Sequence, residues 1–139
     1  MRRYAFTALL PLTLALLTAC ASMAPISAQD TAGTPTVYAK VLQPPNPLLL
    51  GYYRRSGPDN INHPWAFNYW LVQKGDKYAV YYYSRNAQFK NVYKGWADFT
   101  INGDIMTSGV DGVTFFVKDG EVEMGYPGRK ETYHMMKVE

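Results

Sequence analysis

Residues 96–137 read WADFTINGDIMTSGVDGVTFFVKDGEVEMGYPGRKETYHMMK, and this stretch decides the fold class. Four dipeptides punctuate it: Asn102-Gly103, Asp111-Gly112, Asp119-Gly120 and Pro127-Gly128, whose first residues stand 9, 8 and 8 positions apart. Asn-Gly and Asp-Gly accept the positive φ angles of tight hairpin turns, so each can reverse a strand within two residues. Between them lie short runs rich in Val, Ile, Phe, Thr, Tyr and Met. Reversals at this spacing leave room only for short antiparallel strands, so the segment is read as a β-meander.

Alternation within the runs says which side faces a core. Ala97, Phe99 and Ile101 oppose Trp96, Asp98 and Thr100. Val113, Phe115 and Val117 oppose Thr114, Phe116 and Lys118, while Val122, Met124 and Tyr126 oppose Glu121, Glu123 and Gly125. One face is apolar and one mixed, the pattern of a sheet covered on one side. In the last strand Glu131, Lys137 and Glu139 share a parity, which predicts that Thr132, His134, Met136 and Val138 turn inward.

Working back from Trp96, Lys77–Ser84 and Pro64–Gln73 form a predicted hairpin across Lys74-Gly75-Asp76. Leu48–Arg55 opens the folded part, and residues 56–63 (SGPDNINH) read as a loop. Residues 85–95 are expected as a connection, with Phe89, Val92 and Tyr93 packing as a short helical turn over one end. The total is about eight strands, and closing them removes exposed edges. The expected fold is therefore all-β, a small antiparallel meander closed as an up-and-down barrel. Its architecture is similar to that of lipocalins or avidin.

The N-terminus carries a different signal. Arg2 and Arg3 precede an apolar run from Tyr4 to Leu17, interrupted by Pro11 and too short for a permanent span. The run ends in Leu17-Thr18-Ala19-Cys20, which resembles the lipobox of bacterial lipoprotein signal peptides. That resemblance covers only the first 20 residues. It implies cleavage after Ala19, diacylglycerol on the Cys20 sulfur and a further acyl chain, such as palmitate, on its new amino group. Several acyl chains on one residue anchor stably where one does not. Ala21, in place of the Asp that marks inner-membrane retention in the enteric pattern, favours the outer membrane. The expected localisation is thus the bacterial cell envelope. The expected organisation is a signal peptide at 1–19, a lipidated tether at 20–47 rich in Pro, Ala, Ser and Thr, and a β-domain at 48–139. Val37–Leu42 is a possible edge strand within the tether.

Charge and cysteine content narrow the function. From Ala21 onward 12 basic residues face 11 acidic ones, a net charge of +1, which gives no electrostatic basis for a nucleic-acid partner. The charges are segregated along the chain: Lys74, Lys77, Arg85, Lys90 and Lys94 precede Asp98, Asp104, Asp111, Asp119, Glu121 and Glu123. Cys20 is the only cysteine, so its lipidation would leave the domain without thiol chemistry or disulfides.

Tyrosine is over-represented, with 12 in the chain. In Tyr69, Trp70, Tyr78, Tyr81, Tyr82 and Tyr83 aromatics occupy both parities of a strand, so some must face outward. Trp65, Trp70, Tyr81 and Tyr83, beside Arg54 and Arg55, are the candidate contact residues, since such residues dominate interfaces. An inward His134 is a candidate lining residue of a ligand cavity. The plainer explanations are β-propensity and cross-strand pairing for the aromatics, and a satisfied buried group for the histidine. Ser56, Ser84 and Ser108 sit in no nucleophile motif, Glu121 and Glu123 flank a turn, and His63 and His134 have no metal-ligand spacing. No catalytic residue, metal or cofactor is expected. The expected role is non-catalytic binding of an envelope protein or glycan, in an inhibitor or assembly capacity. The alternatives are a lipocalin-like carrier of a small hydrophobic or glycan ligand and, third, a hydrolase of envelope polymers.

Overall fold

The computed structural model describes residues 26–55, 65–86 and 91–139. The chain runs through a short helix α1 (Ala28–Ala32) and strands β1 (Lys40–Gln43), β2 (Gly51–Arg55), β3 (Trp65–Lys74), β4 (Lys77–Asn86) and β5 (Asn91–Ala97). It continues through β6 (Phe99–Asn102), β7 (Ile105–Ser108), β8 (Thr114–Lys118), β9 (Glu121–Gly125) and β10 (Thr132–Lys137). The ten strands form one curled, half-barrel sheet in the order β1-β6-β7-β8-β9-β10-β2-β3-β4-β5.

The all-β class and the meander agree with the sequence. The Asp119-Gly120 turn has φ of 52° and 78°, positive at both positions, and joins Lys118 to Glu121. That is the conformation an Asp-Gly hairpin selects. The β3–β4 hairpin turns at Gly75-Asp76, with Lys74 opposite Lys77. Each of the three alternation patterns read above is oriented as expected, with Phe99, Ile101, Phe115 and Met124 fully buried.

A closed eight-stranded barrel is not what forms. Asp98 interrupts the strand expected over 96–101, so β5 ladders only with β4, while β6 ladders with β7. The carbonyl of Asp98 accepts instead from the Gly109 amide at 2.7 Å. The second edge of β6 is taken by β1, in parallel, with Val41 beside Ile101. The ladder order therefore has two ends, β1 and β5; the chain passes from β5 to β6 through Asp98, and just before β1 the Ala39 amide donates to the Tyr78 carbonyl of β4 at 2.8 Å.

Two further expectations are corrected. Residues 91–95, placed in an irregular connection, extend β4's ladder as β5, because Tyr93 and Gly95 continue the pairing begun at Ala97. The tether assigned to 20–47 is folded over its described part. Ser27 caps α1 through a reciprocal pair with Asp30, and Ile26 and Thr31 are buried, while the edge strand expected over Val37–Leu42 forms as β1, shifted to Lys40–Gln43. Where the tether was expected to end, a 3-10 turn over Pro47–Leu49 closes one end of the sheet, with Leu49 inside the core. The apolar Ile26 and Leu49 recover more on burial than the small residues around them could, about 1.5–3 kcal/mol each.

Among the described residues the interior is a packed cluster of side chains. Tyr69, Tyr82, Phe99 and Phe115 form its centre, with Phe115 4.6 Å from Tyr69 and Phe99 5.3 Å from Tyr82 between ring centroids. Leu71, Met106, Met124 and Met135 pack around them. Gly51 lets β2 start where a side chain could not fit: at φ +104° a Cβ there would run into the carbonyl of Glu139.

Candidate functional site

The tyrosine-rich segments resolve into two aromatic rows on opposite faces of β2, β3 and β4. On the inner face Tyr53, Tyr69 and Tyr82 lie side by side in register. On the outer face the row is Tyr52, Trp70, Tyr81 and Trp96, consecutive partners across β2, β3, β4 and β5. Tyr52 stacks on Trp70 at 5.0 Å and 6°, and Tyr81 meets Trp96 edge-on at 5.2 Å. Aromatics occupy both parities because each face carries its own cross-strand ladder, each contact adding about 0.5–1.5 kcal/mol beyond burial.

The outer row is not open. The N-terminal segment lies across it. Lys74 Nζ donates to the Thr31 carbonyl at 2.7 Å, and Lys94 Nζ pairs with Asp30 Oδ2 at 3.5 Å. Burial, then the nearby Asp30 carboxylate, raises the Tyr81 pKa, and the Tyr52 hydroxyl donates to Asn68 Oδ1 at 3.2 Å. Burial acts to raise the Asp30 pKa, but the Ser27 amide and hydroxyl and the Lys94 ammonium together hold it below the usual carboxylate value. Trp70 and Tyr81, expected as contact residues, are therefore half-buried and already face a segment of their own chain. The signal for this was Ser27-x-x-Asp30, a capping-box pattern.

The remaining candidates separate. Tyr83 and Arg54 project outward on β4 and β2 beyond the row. Trp65 opens β3, its side chain outside what is described; Cys20, Ser56 and His63 also lie outside the described residues. His134 faces solvent, contrary to its expected inward position, with Nδ1 3.3 Å from Glu121 Oε2. In β10 it is Tyr133 and Met135 that turn inward, with Met135 2% exposed. The shared charge parity misled because Glu131, Lys137 and Glu139 lie where the strand runs past the core.

Arg55 instead belongs to a cluster at the end of the sheet opposite Leu49. Its guanidinium sits 4.3 Å over the Tyr133 ring and donates to the Tyr126 hydroxyl at 3.5 Å. Arg129 lies 5.6 Å from the Tyr126 ring centroid, and Tyr126 packs edge-on against both Tyr133 and Phe67. Beneath this rim the Tyr82 hydroxyl donates to Asp111 Oδ2 at 2.8 Å. Burial, then the Asp111 carboxylate, raises the Tyr82 pKa far above its ordinary value, so this phenol stays protonated and is a poor acid. Burial likewise pushes Tyr126 up to about 12, with Arg55 acting in the opposite direction. The rim thus offers two guanidiniums, phenol groups and aromatic faces, a set suited to binding anions, carbonyls or sugar rings. Among the described residues no group of three or more His, Cys, Asp or Glu is placed to hold a metal ion.

These shifts predict an alkaline transition. The folded pKa of Tyr126 lies above its unfolded value of 10.0, so its contribution is complete below pH 10 and lost as pH rises toward about 12. Tyr69 and Tyr82 act in the same direction, through burial. Tyrosinate absorbance and near-UV circular dichroism, followed together above pH 10, should show these phenols ionising only as the fold is lost. Full ionisation of all tyrosines near pH 10 with the fold intact would contradict this.

No known protein-family model matches the chain, and comparison with curated proteins and with solved structures gives no match.

Proposed function

We propose that this chain is a bacterial envelope lipoprotein, anchored by lipid on Cys20, whose β-domain binds a macromolecular partner without catalysis in an inhibitor or assembly role. The observation that carries this reading is the tightly packed aromatic interior among the described residues, beneath a cationic, aromatic rim. Tyr69, Tyr82, Phe99, Phe115 and their neighbours occupy the space a carrier would leave for its ligand. The groups left for recognition are at the surface, where Arg55 and Arg129 lie over Tyr133 and Tyr126. Such arginine–aromatic clusters concentrate binding energy at interfaces. The same filling weakens the carrier alternative, whose ligand would have to sit on the rim rather than inside.

Placing a photo-reactive residue at Arg129 in growing cells tests the reading. A discrete cross-linked adduct is expected, reduced about tenfold or more by Arg55→Ala, as for truncation of an interface hot spot. An adduct indifferent to Arg55→Ala, or none at all, contradicts the rim as the contact surface.

A further inference from the structure

The register of the sheet sorts the charged side chains onto two outer walls. On β2–β5 the outward positions carry Arg54, Lys74, Lys77, Arg85 and Lys94, against Asp76 in the hairpin turn and Asp30 of the covering segment. On β6–β9 the wall and its turns carry Asp98, Asp104, Asp119, Glu121 and Glu123, against Lys118. The domain's small net charge hides an electrically two-sided molecule.

The N-terminal segment leaves from the cationic side. Ile26 is 1% exposed, and the residues that follow it are held to this wall by Lys94 on Asp30 and Lys74 on the Thr31 carbonyl. Only six Cα-to-Cα steps separate Ile26 from Cys20. Fully extended, they reach about 20 Å. A domain of this size is roughly 35 Å across, so a path around it to the opposite wall is on the order of 50 Å. A leash of that length cannot present the acidic wall to the surface that holds it.

We propose that the cationic outer wall of β2–β5, with the segment lying on it, faces the anionic headgroups of the bilayer that holds Cys20. This rests on the lipid-anchor reading. The docked segment makes the anchor a short mooring rather than a long tether, and it holds the lysines and arginines within reach of headgroup charge. Their attraction falls off over a Debye length of about 8 Å at physiological ionic strength, a distance a long tether would exceed. The acidic wall is turned away, and the Arg55–Arg129 rim, at one end of the sheet, is left open to the side.

The test uses the lipidated protein reconstituted into vesicles of phosphatidylcholine with phosphatidylglycerol. Fluorophores are placed at Arg85→Cys on the cationic wall and at Glu121→Cys on the acidic wall, with quencher on the headgroups. Quenching about threefold stronger at position 85 than at 121 is expected, shrinking by roughly half or more in pure phosphatidylcholine. Equal or reversed quenching in a protein that carries lipid overturns the orientation alone. A bias unchanged in phosphatidylcholine overturns headgroup charge as its partner. The unsubstituted protein, treated with the same thiol reagent, keeps the two readings apart: labelling at Cys20 and a mass without acyl chains overturn the anchor, and this inference with it.

Discussion

Replacing Phe115 by alanine is expected to cost about 4 kcal/mol of folding stability, the range for truncating a fully buried phenylalanine. Phe115 is completely buried and touches the rings of Tyr69, Tyr82 and Phe99, with Met106 and Met124 as its cross-strand neighbours. These neighbours are carried on separate strands. Tyr69 and Tyr82 are further held by hydrogen bonds to the Leu49 carbonyl and to Asp111. Against a total stability of about 5–15 kcal/mol for a domain of this size, such a loss leaves a marginal fold. The adjacent Phe116 is half-buried on the outer face, so Phe116→Ala is expected to cost about 1 kcal/mol or less. Urea denaturation of the two variants measures the difference. Equal midpoints would contradict the inward and outward assignments on which the core description rests.

Much of the second half of this fold is legible in the sequence because its turns are encoded locally. Asp119-Gly120 adopts the backbone that Asp-Gly favours, and strands of fixed period 2 then inherit their facing from a few residues. The same logic failed in β10, where Met135 and Met136 offer nearly identical side chains to either face. Tyr133, which packs against Tyr126 and under Arg55, settles the parity there. Closure could not be read because it depends on where one strand breaks. Asp98 looks like an ordinary outward residue of an alternating run, yet there the chain passes from β4's ladder to β7's.

The candidate site was legible as residue types and not as an arrangement. Alternating aromatics in β3 and β4 implied two faces, but not that α1 covers the outer one. A segment of Ala, Ser, Thr and Pro has no pattern demanding burial; its docking rests on Ile26, Thr31 and the pairing of Asp30 with Lys94, which lies 64 residues further along the chain. Arg55 and Arg129 meet around Tyr126 and Tyr133 for the same reason: β2 and β10 are neighbours only because the sheet curls.

The other large effect concerns the anchor. Cys20→Ala is expected to move essentially all of the protein from the membrane fraction to the soluble fraction. Two or three acyl chains hold a protein stably, whereas the domain's wall charges alone give weak, salt-sensitive contact. Its fold should be unchanged, since the described core begins at Ile26. The mass of the N-terminal peptide of the membrane-bound protein tests the anchor most directly. A peptide starting at Cys20 and carrying diacylglycerol plus an amide-linked acyl chain is predicted. A peptide starting further on, after Ala24 or Ala28 and without lipid, would contradict it.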